Sequence, residues 1–310
     1  MPELDSKSFH GIYPSTICPL LPDYQIDEQG VLDHVISVSH IPGIRGVLCN
    51  GHAGENFVLT RSEKARIVEL TRAAMPDSGV LVAGVNQESS LEAAKEARDA
   101  AAAGADAIMV FAPNSWALMQ DGHMAIRHHE AVAEAVDLPL FVFQGSVSAG
   151  RMPYAPELLA ELVKLPRVVG IKEGSWETAT YEANRRLIRQ VAPHVAVMAS
   201  GDEHLFTSYV LGTEGSLVSL AVVIPETIVA LDAAVRAGNL REAERLHGIV
   251  YPLACAIYRQ APAGYATARL KACLRLLGRL AHDSVRPPLG PLPDHEIRNL
   301  ERALRAAQLL

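Results

Sequence analysis

The stretch VLVAGVNQESSLEAAKEARDAAAAGADAIMVFA, Val80–Ala112, contains one complete strand–helix–strand unit. Val80–Val85 is a short run of Val, Leu and Ala with little polar alternation, as expected of a strand buried on both faces. Ser90–Ala103 follows with an Ala-rich helical pattern. Gly104 stands where a helix takes its C′ glycine, and Ala107–Ala112 opens a second buried strand. Two such strands joined by a helix form a parallel pair.

The same unit recurs on both sides. Further apolar runs lie at Gly11–Ile17, Gly46–Cys49, Leu138–Phe143, Val168–Lys172, Val195–Ser200 and Gly215–Leu220. Helical patterns separate them at Val31–His40, Arg61–Ala74, His123–Ala135, Ala155–Lys164, Thr178–Val191 and Leu205–Leu211. Thr60 and Glu63 have the spacing of a capping box before the second helix. Strand centres recur at roughly the 30-residue length of a βα unit. Eight units in succession predict an α/β protein, a (β/α)8 TIM barrel. A doubly wound open sheet is the alternative. It usually has fewer strands, and neither GxGxxG nor GxxxxGK[ST] occurs.

The strand signal stops at about Glu226. Helices are expected near Glu226–Ala237, Leu240–Tyr258, Ala266–Leu277 and Asp294–Ala307. Ile297, Leu300 and Leu304 make one apolar stripe on the last. Pro287, Pro288, Pro291 and Pro293 mark a rigid linker before it. The expected organisation is a catalytic barrel over residues 1–236 and a C-terminal helical domain, or extension, over 237–310.

At 310 residues, with 49 % hydrophobic and 20 % charged residues, the chain can build a large core, and disorder is not expected. The net charge of −7 and the lack of a basic patch argue against nucleic acid as a partner. No apolar stretch is long enough to span a membrane, and the mixed-charge start Met1–His10 does not resemble a secretory signal. The four scattered cysteines form no CxxC, so neither a zinc site nor a disulfide scaffold is indicated. The expectation is a cytoplasmic protein with no metal and no cofactor.

A barrel of this kind places its active site at the C-terminal ends of the strands. Those ends are Cys49–Glu55, Pro113-Asn114, Phe143–Ser146, Lys172–Ser175 and Gly201–Glu203. Lys172 is the most informative, because it ends the run Val168-Val169-Gly170-Ile171 and places an amine at the barrel mouth. A neutral amine there attacks a ketone and forms a Schiff base. Lowering the lysine pKa by ~3 units costs ~4 kcal/mol and needs a desolvated or cationic site. The alternative is a structural lysine paired with Glu173 or another carboxylate. Gly51–Glu55 is either an anion-binding turn or an ordinary βα turn. Its His52 either transfers protons or is merely solvated. His128-His129 lacks the i, i+4 spacing of a helical metal pair and is expected on a solvated helix face. Trp116 and Tyr265 either line a pocket or, as the default reading, pack in the core.

In this order, these residues resemble the dihydrodipicolinate synthase/N-acetylneuraminate lyase (DapA-like) family of class I aldolases. Gly11–Leu20 is similar to the family's first strand, with Cys18 in place of the usual Thr. Gly51-His52-Ala53-Gly54-Glu55 resembles its G-T-T-G-E segment. Pro139–Gly150 has the spacing of P-x-x-x-Y-N-x-P-x-R-T-G, and Gly170-Ile171-Lys172-Glu173 matches the Schiff-base motif. Leu211-Gly212, Gly215 and Val285–Leu289 fit as well. The resemblance covers nearly the whole chain.

The resemblance implies a lyase in which Lys172 condenses with pyruvate or another 2-oxo acid. The protonated imine stabilises a carbanion at C3, without metal or organic cofactor. It also implies a homotetramer built as a dimer of dimers, or a homodimer, with Asn114 and Trp116 near a subunit edge. The implied substrate contacts are Gly51, Ala53, Phe143, Gln144, Ser146 and Ser175, with His52 a candidate acid/base beside the catalytic Lys172.

Several departures bear on the activity. Phe143 stands where the family has its proton-relaying tyrosine, and Gln144 replaces the neighbouring Asn. His52 and Ala53 replace two threonines, removing their hydroxyls but keeping the backbone N–H groups. Ser148 replaces the arginine that binds the second substrate in dihydrodipicolinate synthases. Asn114-Ser115 replaces an aromatic pair. The leading expectation is therefore dehydratase or aldolase chemistry on a 2-oxo acid, such as a 2-oxo-3-deoxy sugar acid. One alternative is pyruvate condensation as in dihydrodipicolinate synthase. Another is a degenerate barrel that binds a 2-oxo acid as a sensor or structural subunit.

Overall fold

A computed structural model describes residues 9–310, so Met1–Ser8 of the mixed-charge start lies outside the described residues. Eight parallel strands form one sheet: β1 (Gly11–Pro14), β2 (Gly46–Cys49), β3 (Val80–Val85), β4 (Ala107–Val110), β5 (Leu140–Gln144), β6 (Val168–Glu173), β7 (Ala196–Ala199) and β8 (Gly215–Val218). Each strand pairs with its sequence neighbour, and β1 pairs with β8. Parallel bridges Ile12–Ile44 and Ser15–Leu48 join β1 to β2 and close the ring. The chain is a (β/α)8 barrel, not an open sheet.

The outer helices are α1 (Glu28–Ser39), α2 (Arg61–Ala74), α3 (Ser90–Ala102), α4 (Gly122–Ala135), α5 (Pro156–Leu162), α6 (Thr178–Val191), α7 (Leu205–Leu211) and α8 (Pro225–Arg236). Three more follow: α9 (Leu240–Tyr258), α10 (Ala266–Leu276) and α11 (Asp294–Ala306). The Thr60–Glu63 capping box is formed in full. Gly104 has a φ of 103°, a conformation open to a residue without Cβ.

Strand alternation produces two cores. Val47, Val110, Val142, Ile171 and Val197 face outward, where the helices cover them. Tyr13, Leu48, Val82, Met109, Phe141, Met198 and Leu217 fill the barrel's interior. Gly170 is required here, because a Cβ would collide with the Phe141 ring. The period of two then turns Lys172 inward, one layer above Gly170.

His128 and His129 do not lie on a solvated face. Each is 1 % exposed, because α4 is packed against α3 on one side and the Tyr154 loop on the other. His128 Nδ1 is 3.1 Å from Ser90 Oγ, and His129 Nδ1 is 2.8 Å from the Ala125 carbonyl. Trp116 packs edge-on against His128, as a core residue.

Burial pushes His128, His129 and the equally buried His34 down from 6.5 to about 4. Between these values the unfolded chain holds more protons than the folded one, so stability rises with pH. It is fully present above about pH 6.5 and falls as the pH drops toward 4. Each histidine adds up to ~1.4 kcal/mol per pH unit to that slope. Calorimetric Tm should therefore hold level above about pH 6.5 and decline from there to pH 5, and His128→Gln should flatten the decline. A Tm independent of pH over this range would contradict the assignment.

Candidate active site

The mouth is assembled from the residues just past the strand ends. Lys172 on β6 pairs in register with Phe143 on β5 and Met198 on β7. Its ammonium lies 5.7 Å from the centroid of the Phe143 ring and donates a hydrogen bond to Ser15 Oγ at 3.3 Å. Burial pulls its pKa down from 10.5 to about 8, while the negative charge of Asp202 works the other way. At pH 7 roughly one amine in ten is then neutral, against roughly one in three thousand for an ordinary lysine.

Glu173 is not the partner of Lys172. As the next residue on the strand it points outward, where Asn184 Nδ2 donates to it at 2.8 Å and Ser175 Oγ at 3.0 Å. The reading of Lys172 as half of a pair with Glu173 is thereby excluded.

His52 opens a 3-10 turn, His52–Gly54, after β2. Its ring is tilted against Phe111 and meets Phe143 edge-on, with centroids 4.5 and 5.4 Å away. It is therefore not a freely solvated loop histidine. Burial lowers its pKa to about 4, and the charge of Lys172 adds to the effect. The imidazole is neutral at pH 7. Within the turn, the Gly54 and Asn56 N–H groups donate to the Gly51 carbonyl, and the Glu55 N–H to that of His52. The N–H groups of His52 and Ala53 begin the turn and have no acceptor inside it.

A buried lysine fixes this turn from behind. Lys271 of α10 pairs with Glu55, and neither side chain is exposed at all. Arg286 N–H donates to the other Glu55 oxygen at 3.0 Å, and Thr267 Oγ to the His52 carbonyl at 3.3 Å. Two more residues complete the mouth. Asp202 follows β7 and is buried, and burial raises its pKa to about 7. Tyr258, the last residue of α9, reaches it at 3.3 Å.

The structure thus brings Lys172, Phe143, His52 and the Gly51–Ala53 turn together. Gln144 is not in that group. Its amide donates to the Tyr154 carbonyl at 3.1 Å and accepts the Tyr154 N–H at 3.0 Å, so it holds the β5–α5 loop instead. Ser175 is spent on Glu173 and the Glu177 carbonyl. Ser146 lies in the loop after β5, with its hydroxyl 2.8 Å from Ser148 Oγ. Asn114 is exposed on the turn after β4.

Ser15 and Tyr258 were not singled out by the sequence, and Asp202 was placed at the mouth without a role. The only available signal was their position, Ser15 and Asp202 at strand ends and Tyr258 at a helix end. Among the described residues no group of three His, Cys, Asp or Glu side chains is arranged to hold a metal. No helix among them is long and apolar enough to cross a membrane.

Comparison with known proteins gives a consistent result. The model of the dihydrodipicolinate synthetase family matches residues 8–307. A 4-hydroxy-tetrahydrodipicolinate synthase of Desulfotalea psychrophila is 29 % identical over 309 residues, covering 98 % of each chain. An uncharacterised DapA-like lyase of Halobacterium salinarum is 30 % identical, covering 99 % of this chain and 96 % of its own. The crystal structure of a dihydrodipicolinate synthase from Agrobacterium tumefaciens superposes with a TM-score of 0.85 at 26 % identity, over 97 % of this chain and 99 % of the other. With its lysine-bearing barrel and a match along nearly its whole length, the chain belongs to the dihydrodipicolinate synthetase family, a family of lyases of the class I aldolase type.

Proposed function

We propose that the protein is a Schiff-base lyase that dehydrates a 2-oxo-3-deoxy acid, with Lys172 as the nucleophile. The observation that carries this reading is a buried, partly neutral lysine set against a phenyl ring at the position where the family has a phenol. The His52 and Ala53 N–H groups bind the substrate carboxylate. The neutral amine attacks C2, and His52 carries the proton from the adduct to the departing carbinol oxygen. With one further proton taken from solvent, that oxygen leaves as water and a protonated imine remains. Phe143 walls the pocket and excludes water, and the loop carrying Ser146 faces the substrate's distal end.

We further propose that the enzyme works in the cytoplasm as a homodimer or a dimer of dimers. Leu118 and Met119, strongly exposed just after the turn that follows β4, support association through that edge.

Two results are expected. Imine formation should accelerate about tenfold per pH unit up to about pH 8 and level off above it, as Lys172 loses its proton. A rise continuing to pH 10 would contradict the lowered pKa. His52→Ala should slow turnover about 100-fold and alter the pH profile. Unchanged turnover and profile would remove His52 from the mechanism.

A second reading, condensation of pyruvate with an aldehyde, is favoured by the names of the relatives in Desulfotalea and Agrobacterium. Ser148 at the family's arginine position argues against it. Turnover of a panel of 2-oxo acids, with and without an aldehyde, tests the assignment. Release of water from a 2-oxo-3-deoxy acid is the expected result. Product formed only when the aldehyde is present would favour condensation. Binding without any product would favour a sensor.

A further inference from the structure

Four buried carboxylates lie near the mouth, and three are committed elsewhere. Glu55 is paired with Lys271, Glu203 with Arg259, and Glu173 is held by Asn184 and Ser175. Glu173 and Asp202 both have only neutral hydrogen-bond donors, but Glu173 points out of the barrel, whereas Asp202 is the one carboxylate of the four whose charge acts on Lys172. The Leu220 N–H donates to its Oδ1 at 2.7 Å and the Tyr258 hydroxyl to the same oxygen at 3.3 Å. Both bonds fall on Oδ1, which leaves Oδ2 without a donor among the described residues. The Tyr258 hydroxyl is in turn 2.7 Å from Ser219 Oγ, and its ring meets Trp176 edge-on at 5.1 Å. The end of α9 thus sends one phenol to the barrel mouth, on the β7–β8 side of Lys172 and away from His52 and Phe143.

We infer that Asp202 is the base that takes the C3 proton, and that Tyr258, tied to Ser219, is the residue that positions it. This rests on the Schiff-base reading of Lys172. Asp202 and Lys172 influence each other's charge, yet Lys172 Nζ hydrogen-bonds to Ser15 and not to the carboxylate. Lys172 stands in register with Met198 on β7, and Asp202 opens the turn just past the end of that strand, so both stand at the same end of neighbouring strands. The charged and titratable groups that act on Asp202 are Lys172, Glu203 and Tyr258. Burial holds its pKa near the working pH, where a base is most effective.

The step balances without a further reactant. Asp202 accepts the C3 proton. The C3–H electron pair becomes the C2=C3 bond, and the C2=N π pair returns to the lysine nitrogen as an enamine. When the C4–O bond breaks, the nitrogen pair re-forms C2=N and the C2=C3 pair becomes C3=C4. The departing hydroxyl takes the proton from Asp202 and leaves as water. This assigns to Asp202 and Tyr258 the proton transfer that Phe143 cannot perform.

The test uses the intact enzyme with pyruvate as probe. Exchange of its methyl protons in D2O is followed by NMR, alongside borohydride trapping on Lys172. Wild type, Asp202→Asn and Tyr258→Phe should all trap pyruvate. Exchange should fall about 100-fold in Asp202→Asn. Tyr258→Phe, which loses a single hydroxyl, should slow exchange about tenfold and move its pH midpoint. Wild-type exchange rates and an unchanged pH profile in either variant that still traps pyruvate would overturn the inference. If the wild type itself failed to trap, the Schiff-base reading would fall, and this inference with it.

Discussion

Lys172→Ala should lower kcat by about 10,000-fold or more while leaving the protein folded. In the proposed mechanism the amine is the nucleophile, and the phenyl ring beside it has no lone pair to substitute. Among the described residues Ser15 is its one hydrogen-bond partner, and its hydroxyl cannot form an imine. The fold is spared for the same reason that the amine is reactive. Lys172 is buried without a direct ion pair, so its removal deletes a desolvated charge and leaves none orphaned. Thermal unfolding of the variant should be unchanged or shifted slightly upward, the pattern of a residue kept for chemistry at the expense of stability. A variant within tenfold of wild-type turnover would show that the lysine is structural.

The second large effect concerns the turn proposed to receive the substrate carboxylate. Lys271→Met should destabilise the protein by about 3–5 kcal/mol, because it leaves Glu55 fully buried and without its cation. Glu55 has a φ of 58°, a left-handed conformation unusual for a side-chain-bearing residue, and it adjoins the His52–Gly54 turn. Loosening the pair should therefore also raise KM for the 2-oxo acid. In the double variant Glu55→Gln/Lys271→Met no charge is stranded, and much of the stability should return. Urea unfolding of the three variants measures this directly. A loss below about 1 kcal/mol in Lys271→Met would show that the pair is not holding the turn.

Much of this architecture can be read from local pattern. The bounds of β2, β3, α2, α6, α7 and α9 match the expected segments, since apolar runs and helical periodicity are properties of neighbouring residues. Lys172 could be found because a lysine ending a buried strand breaks the apolar pattern, and the Gly-Ile-Lys motif gave it a role. What the sequence concealed is long-range. Glu55 meets Lys271 across 216 positions, and Tyr258 meets Asp202 across 56. No periodicity encodes either contact. His128 and His129 were placed in solvent because polar side chains usually are. The packing of α4 against α3 and the Tyr154 loop buries both. Gln144 and Ser175 show the opposite case. The alternation that turns Phe143 and Lys172 into the barrel turns Gln144 and Glu173 out of it, and the Ser175 hydroxyl follows Glu173.

The most direct test of the account is borohydride trapping on the wild-type enzyme, with pyruvate and with a longer 2-oxo-3-deoxy sugar acid, read by peptide mass spectrometry. The account predicts a reduced adduct on the peptide carrying Lys172, stronger with the sugar acid and absent in Lys172→Ala. A folded enzyme that gave no adduct with any 2-oxo acid of a broad panel would contradict it and make the barrel a binder of such acids.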